Sequence, residues 1–159
     1  KVILDILQRC GGKIKPTPDG YTFARSLLRA TEIDLADCPD LGPVLFTLGC
    51  FCSGETVIHN AGRLRLKESD RIAAMQTELQ KLGAHIQVDG DDVRITGTAL
   101  HAPEAPLSGH NDHRVVMALA TAACAAGVPA LILGADAVNK SWPAFWDVLR
   151  GLGAKMEWE

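Results

Sequence analysis

The sequence predicts an α/β fold of repeated βαβαββ units, with helices inside and sheets outside, and three observations lead there. First, one pattern recurs as LQRCGGKI (7–14), LQKLGAHI (79–86) and LRGLGAKM (149–156). Each reads as a helix end, a Gly stop and a strand start. The glycines, Gly11, Gly83 and Gly153, stand 72 and 70 positions apart. Second, PDLGPVLFTLGCFCSGETVIHNA, from Pro39, pairs with NDHRVVMALATAACAAGVPALILGA, from Asn111. Asp40 then precedes Asp112 by 72 positions, and Gly54 precedes Gly127 by 73, the same distance that separates Lys67 from Lys140. Third, stretches with a period of two alternate with stretches of helical period. Units of about 70 residues like these cannot bury both faces alone, so they are expected to pack helices inward and sheets outward around a shared axis.

The elements follow in order. The chain opens inside an apparent helix rather than at a Met, which points to a fragment. Strands are expected over 13–17 and 21–24, around Asp19-Gly20, followed by a helix over 41–52 and a strand over 56–59. Ile72, Met75, Leu79 and Leu82 mark one face of a helix over 70–82, which Gly83 stops. Ile86 and Val88, then Val93 and Ile95, alternate with polar residues around the turn signal Asp89-Gly90. The Ala-rich stretch 112–126 reads as a helix that must be well buried, because it carries little polar surface after Arg114. Leu131, Ile132 and Leu133 read as a short buried strand. A last helix covers 142–152, with Pro143 in its first turn. The repeat units divide the chain at roughly 1–65, 66–138 and a closing 139–159.

Length and composition bound the function. The 159 residues are enough for one domain and short for two. With 47% hydrophobic and 22% charged residues the chain is globular in character. No run of about 18 apolar residues is present, so no membrane span is expected. The start KVILDILQRC lacks a signal-peptide layout. A net charge of −3 disfavours a general nucleic-acid or anionic-membrane binder. Five cysteines without zinc-ribbon spacing, most among apolar residues, fit a reduced, cytoplasmic protein.

The densest charge cluster runs from Arg63 to Arg71, between a strand and a helix N-terminus. It reads either as a solvated loop in which Ser69 or Asp70 caps the helix, or as an anion site. Lys140 in the equivalent loop of the next repeat favours the second. His110-Asn111-Asp112-His113-Arg114 opens the Ala-rich helix. Arg114 opposes the helix dipole there, which makes sense if it grips an anion. Metal binding through His110, Asp112 and His113 is a rival without a recognised spacing. Asp40 and Asp112 occupy the same repeat position, and either can be a plain helix cap; one of the two is expected to be chemical. Trp142, Phe145 and Trp146 read as core or interface, and Cys50 and Cys52 as packed on a helix. Lys67, Arg71, Arg114 and Lys140, with Asp40 and Glu68 among them, point to acid/base chemistry on a phosphorylated or carboxylated metabolite.

RLRLKESDRIAAMQTELQKLGA, NDHRVVMALATAACAAG and NKSWPAFWDVL resemble the 3-phosphoshikimate 1-carboxyvinyltransferase (EPSP synthase) family, and the resemblance runs along essentially the whole chain. Family members are more than twice this length, so the chain is similar to most of one of two lobes. The resemblance implies three βαβαββ units per lobe. It implies transfer of the enolpyruvyl group of phosphoenolpyruvate to the 5-hydroxyl of shikimate 3-phosphate, with loss of phosphate and no metal or organic cofactor. On the matching motifs, Asp40 is the proposed base at the shikimate hydroxyl. Glu68 is the acid toward the phosphoenolpyruvate methylene, Lys67 a shikimate-3-phosphate contact, and Arg71, Arg114 and Lys140 the cations for phosphoenolpyruvate. His113 falls at an orienting position. The family often has Asn or Glu where this chain has Arg63. The partner is the missing N-terminal lobe, and the chain alone is expected to turn over nothing. Two rivals are a UDP-N-acetylglucosamine 1-carboxyvinyltransferase-like lobe and a non-catalytic anion-binding repeat module.

Overall fold

A computed structural model describes residues 1–158. Helix α1 (Val2–Arg9) leads into the antiparallel pair β1 (Lys13–Thr17) and β2 (Gly20–Ala24). One complete βαβαββ set follows. It consists of β3 (Glu32–Asp34), α2 (Gly42–Cys50), β4 (Glu55–His59), α3 (Arg71–Lys81), β5 (His85–Asp89) and β6 (Asp92–Thr96). The pattern then restarts with β7 (Leu107–Ser108), α4 (His113–Ala126), β8 (Ile132–Leu133) and α5 (Phe145–Gly151). Short 3-10 turns at Pro39–Leu41, Ala61–Leu66 and Ala135–Lys140 precede α2, α3 and α5.

The strands of the complete unit form one sheet in the order β3-β4-β6-β5. β3 and β4 are parallel, joined through α2, while β6 is antiparallel to both neighbours. β7 and β8 repeat the parallel pair around α4. Both hairpins turn on two residues, and they share a 72-residue offset: Lys13 matches His85, and Gly20 matches Asp92. Their Asp-Gly pairs therefore do not coincide. The first turn uses Pro18-Asp19 and starts β2 at Gly20, whereas the second is centred on Gly90-Asp91, with Gly90 at φ +58.

α2, α3 and α4 pack on one another. On α2, Leu45, Phe46, Gly49 and Cys50 are buried, and on α4 Val115, Ala118, Leu119 and Ala122. Each buried Leu or Val contributes about 1.5–3 kcal/mol of transfer free energy. Thr47, buried between the two helices, satisfies its hydroxyl by donating to the Ala118 carbonyl at 3.1 Å. A second, smaller core joins Val116 and Ala120 of α4 to Ala137, Val138 and Phe145, and holds the 3-10 turn that ends at Lys140.

Three expectations are corrected. The segment 131–133 is not buried: Leu131 is 45% and Leu133 52% exposed, because β7–β8 lacks the hairpin that β5–β6 adds beside β4. The last helix begins at Phe145, not 142. Pro143 offers no N–H and disfavours helix in the residue before it, so Trp142 instead closes the preceding turn through its N–H to the Val138 carbonyl at 2.8 Å. Helix α2 ends at Cys50, and buried Cys52 lies beyond it. Phe145 is buried as expected and packs edge-to-face on Trp146 at 4.9 Å. Among the described residues no helix is long and apolar enough to cross a membrane.

Candidate active site

The N-terminal ends of α2, α3 and α4 meet, and each brings an acid or a cation. Asp40 lies in the 3-10 turn before α2. Lys67 and Glu68 link the turn Ala61–Leu66 to α3, whose first residue is Arg71. Asp70 caps α3 by accepting from the N–H groups of Ile72 and Ala73. Asp112 caps α4 through the Arg114 N–H. Close packing fixes these positions. A Cβ on Gly42, at the start of α2, would lie 2.5 Å from a Leu64 methyl carbon, so the turn leading to Lys67 rests directly on α2.

Arg71 is the hub. It is 1% exposed and makes four hydrogen bonds to three carboxylates. Nε and Nη2 hold Asp112 Oδ2 and Oδ1 at 2.8 and 3.2 Å, a two-pronged pairing that suits guanidinium. Nη2 also reaches Glu68 Oε2 at 2.6 Å, and Nη1 reaches Asp40 Oδ1 at 3.3 Å. Asp40 is clamped from three sides, since Lys67 Nζ lies 3.2 Å from Oδ1 and Arg114 Nη2 3.3 Å from Oδ2. Arg114 Nη1 further donates to the Asp40 carbonyl at 3.2 Å.

Partial burial opposes ionisation of Asp40, but the Lys67 hydrogen bond and the charges of Arg114, Lys67 and Arg71 outweigh it and hold its carboxyl below the usual carboxylate range. Burial likewise opposes the charge on Asp112, and bonds from Arg71, the Arg114 N–H and Ser69 bring its pKa below the ordinary value. Asp40 and Glu68 remain half exposed, so both can be reached from solvent. Lys140 is different. Its Nζ holds two neutral oxygens, the Asn111 carbonyl at 2.6 Å and Asn111 Oδ1 at 2.7 Å. Lys67, Arg71 and Arg114 thus face Asp40, Glu68 and Asp112 charge for charge, and Lys140, bonded among the described residues only to Asn111, adds one more cation beside them. Only a short step along the chain, Asn111 to Asp112, separates the Lys140 contact from the hub.

This arrangement suits anions brought up to acids that exchange protons. The model of the EPSP synthase (3-phosphoshikimate 1-carboxyvinyltransferase) family matches residues 1–149. The chain belongs to the EPSP synthase family. It is 39% identical over 99% of its length to the 3-phosphoshikimate 1-carboxyvinyltransferase of Clostridium botulinum, and 42% identical over 99% to that of Clostridium acetobutylicum. It spans 37% and 36% of those two relatives. Its fold superposes on EPSP synthase from Acinetobacter baumannii with a TM-score of 0.82 at 22% identity, over 99% of this chain and 40% of that one.

The structure brings together Asp40, Lys67, Glu68, Arg71 and Arg114, and puts Lys140 on the adjoining loop. Arg63 does not join them; its Nη1 donates to the Ala36 carbonyl at 3.4 Å. Of the metal-binding rivals, Asp112 has both oxygens engaged and His110 turns to Glu78, and among the described residues no group of three or more such side chains could hold an ion. Sequence reasoning read Asp112 as a cap and missed that it is also the buried counter-charge of Arg71. It also passed over Ser69 as an Asp112 partner, Asn111 as the seat of Lys140, and Glu78.

Proposed function

We propose that, within the full-length protein, this chain is most of one lobe of a two-lobed enzyme that transfers the enolpyruvyl group of phosphoenolpyruvate to the 5-hydroxyl of shikimate 3-phosphate. The observation that carries the reading is the single network joining Asp40, Glu68, Lys67, Arg71 and Arg114. In this reading Asp40 accepts the proton of the attacking hydroxyl, whose oxygen bonds to the central carbon of phosphoenolpyruvate. Glu68 delivers a proton to the methylene, which gives a tetrahedral intermediate. A methyl proton then returns to Glu68 as the carbon–phosphate oxygen bond breaks, and phosphate departs with the proton that Asp40 had taken, which leaves the enolpyruvyl ether. Arg114 and Lys140 bind phosphoenolpyruvate, Arg71 joins them by giving up its Nη bonds to Glu68 and Asp40, Lys67 binds shikimate 3-phosphate, and no cofactor enters.

The electrostatics support the division of labour. A carboxyl held low by three cations is ionised but a weak base. Substrate anions that draw Lys67 and Arg114 onto themselves release Asp40 from that pull and raise its basicity where the hydroxyl arrives. Fixed positive charge favours the departing phosphate. The other lobe supplies the remaining contacts, and five unpaired cysteines suit a reducing cytoplasm. The test is a steady-state assay of phosphate release with both substrates in the full-length protein. Asp40→Asn and Glu68→Gln are each expected to lower kcat by about 10²–10⁴-fold. Unchanged kcat in both variants contradicts the assignment.

A further inference from the structure

Behind the site lies a buried carboxylate that the reaction above does not use. Glu78, on α3, is 2% exposed. Its Oε1 accepts from His110 Nε2 at 3.0 Å, and its Oε2 from Lys81 Nζ at 2.7 Å and the Ser108 backbone N–H at 2.9 Å. One side chain of α3 therefore grips both Ser108 and His110, the start and near end of the link from β7 into α4.

That link runs through an unfavourable backbone. His110 and Asn111 sit at φ +48 and +54, and neither is glycine. Non-glycine residues there cost of order 1–3 kcal/mol each and persist only where the surroundings over-determine them. The Gly109 N–H bonds the Leu133 carbonyl at 2.9 Å, the Asp112 N–H bonds the Gly109 carbonyl at 2.9 Å, and the His110 N–H bonds Ser108 Oγ at 3.2 Å. The His110 ring adds the tie to Glu78. The next residue, Asn111, gives both its oxygens to Lys140, and the one after it is Asp112.

We infer that Glu78 and His110 are positioning residues: their hydrogen bond sets the two Asn111 oxygens and, through them, the place of the Lys140 ammonium. The inference rests on the reading of Lys140 as a phosphoenolpyruvate cation. Its geometric core, the coupling of His110 to Lys140, does not.

His110 is the side to vary, because Glu78 also holds Lys81 and Ser108. His110→Asn keeps a residue that tolerates left-handed backbone but falls short of Glu78. His110→Gln is longer and can donate an amide N–H to it. In the full-length enzyme, His110→Ala and His110→Asn are each expected to raise the KM for phosphoenolpyruvate about ten-fold, with kcat and the KM for shikimate 3-phosphate within about two-fold; ten-fold corresponds to about 1.4 kcal/mol. His110→Gln is expected to restore it. A second readout needs no substrate: the rate at which acetic anhydride modifies Lys140, followed by mass spectrometry, rises in Ala and Asn and returns in Gln. Labelling that is the same in wild type, His110→Ala and His110→Asn overturns the inference, as does a loss that Gln fails to restore. A wild-type enzyme without activity overturns the functional reading alone, and the labelling series then still decides the positioning.

Discussion

Arg71 carries a positive charge where water hardly reaches it, and Asp112, fully buried, answers it from 41 positions further along the chain. Neutralising Asp112 takes away the one fully buried partner and leaves Arg71 only Glu68 and Asp40, both half exposed. Asp112→Asn is therefore expected to destabilise the full-length protein by about 1–3 kcal/mol in denaturant unfolding. The pH dependence has a definite sign. The folded pKa of Asp112 lies below its unfolded value, so its contribution is complete above the ordinary carboxylate range and is lost as pH falls through the folded value. The Asn variant is expected to lack that part of the acid limb. Because Asp40, Glu68 and Asp112 share one guanidinium, effects of paired substitutions among them will not add. The charges themselves were legible in the sequence, as were Asp40, Glu68 and the four cations. Which acid meets which cation was not. Asp40 and Asp112 hold the same repeat position before a helix, and only folding decides that Arg71 buries one and leaves the other half exposed.

At the level of elements, legibility followed length and pattern. α3 and the β5–β6 hairpin were readable because Ile72, Met75 and Leu79, or Ile86 with Val88 and Val93 with Ile95, repeat at the right period, and α4 because it carries little polar surface after Arg114. β3 and β7 were not, since three and two residues cannot display alternation; their pairing with β4 and β8 alone makes them strands. The 3-10 turn over Ala61–Leu66 was also hidden, because it presents only Ala61 and Leu64 to the core. That turn aims Lys67 and Glu68, and Gly42 is where it presses on α2. Gly42→Ala is expected to cost about 1–3 kcal/mol by overpacking against Leu64, and to raise the KM for shikimate 3-phosphate by displacing Lys67. A variant that melts lower but keeps its KM would separate the packing from the site.

The whole molecule departs from a self-sufficient globule at the β7–β8 pair, where Leu131 and Leu133 lie open, and again at its first hairpin. The β1–β2 hairpin stands at the surface with Tyr21 52% and Phe23 63% exposed, whereas the equivalent β5–β6 hairpin lies beside β4 and buries Ile86, Val93 and Ile95. The internal repeat made this comparison possible from sequence, and the inward helices follow from it; the open strands did not, because period-two alternation is the same with or without a neighbouring sheet. The 159-residue chain assayed alone is expected to release no phosphate from the two substrates under conditions where the full-length protein does. The surplus cation at the helix ends has a consequence for encounter. In physiological salt, fields fade over about 8 Å. A multiply charged anion approaching this segment thus does not feel its overall −3 at a distance, and responds instead to the charges nearest it, with Lys140 the one of the four site cations that no carboxylate among the described residues holds. Lowering the ionic strength lengthens the reach of the segment's overall repulsion together with the local pull, so the two work against each other in dilute buffer, where a basic protein would only gain.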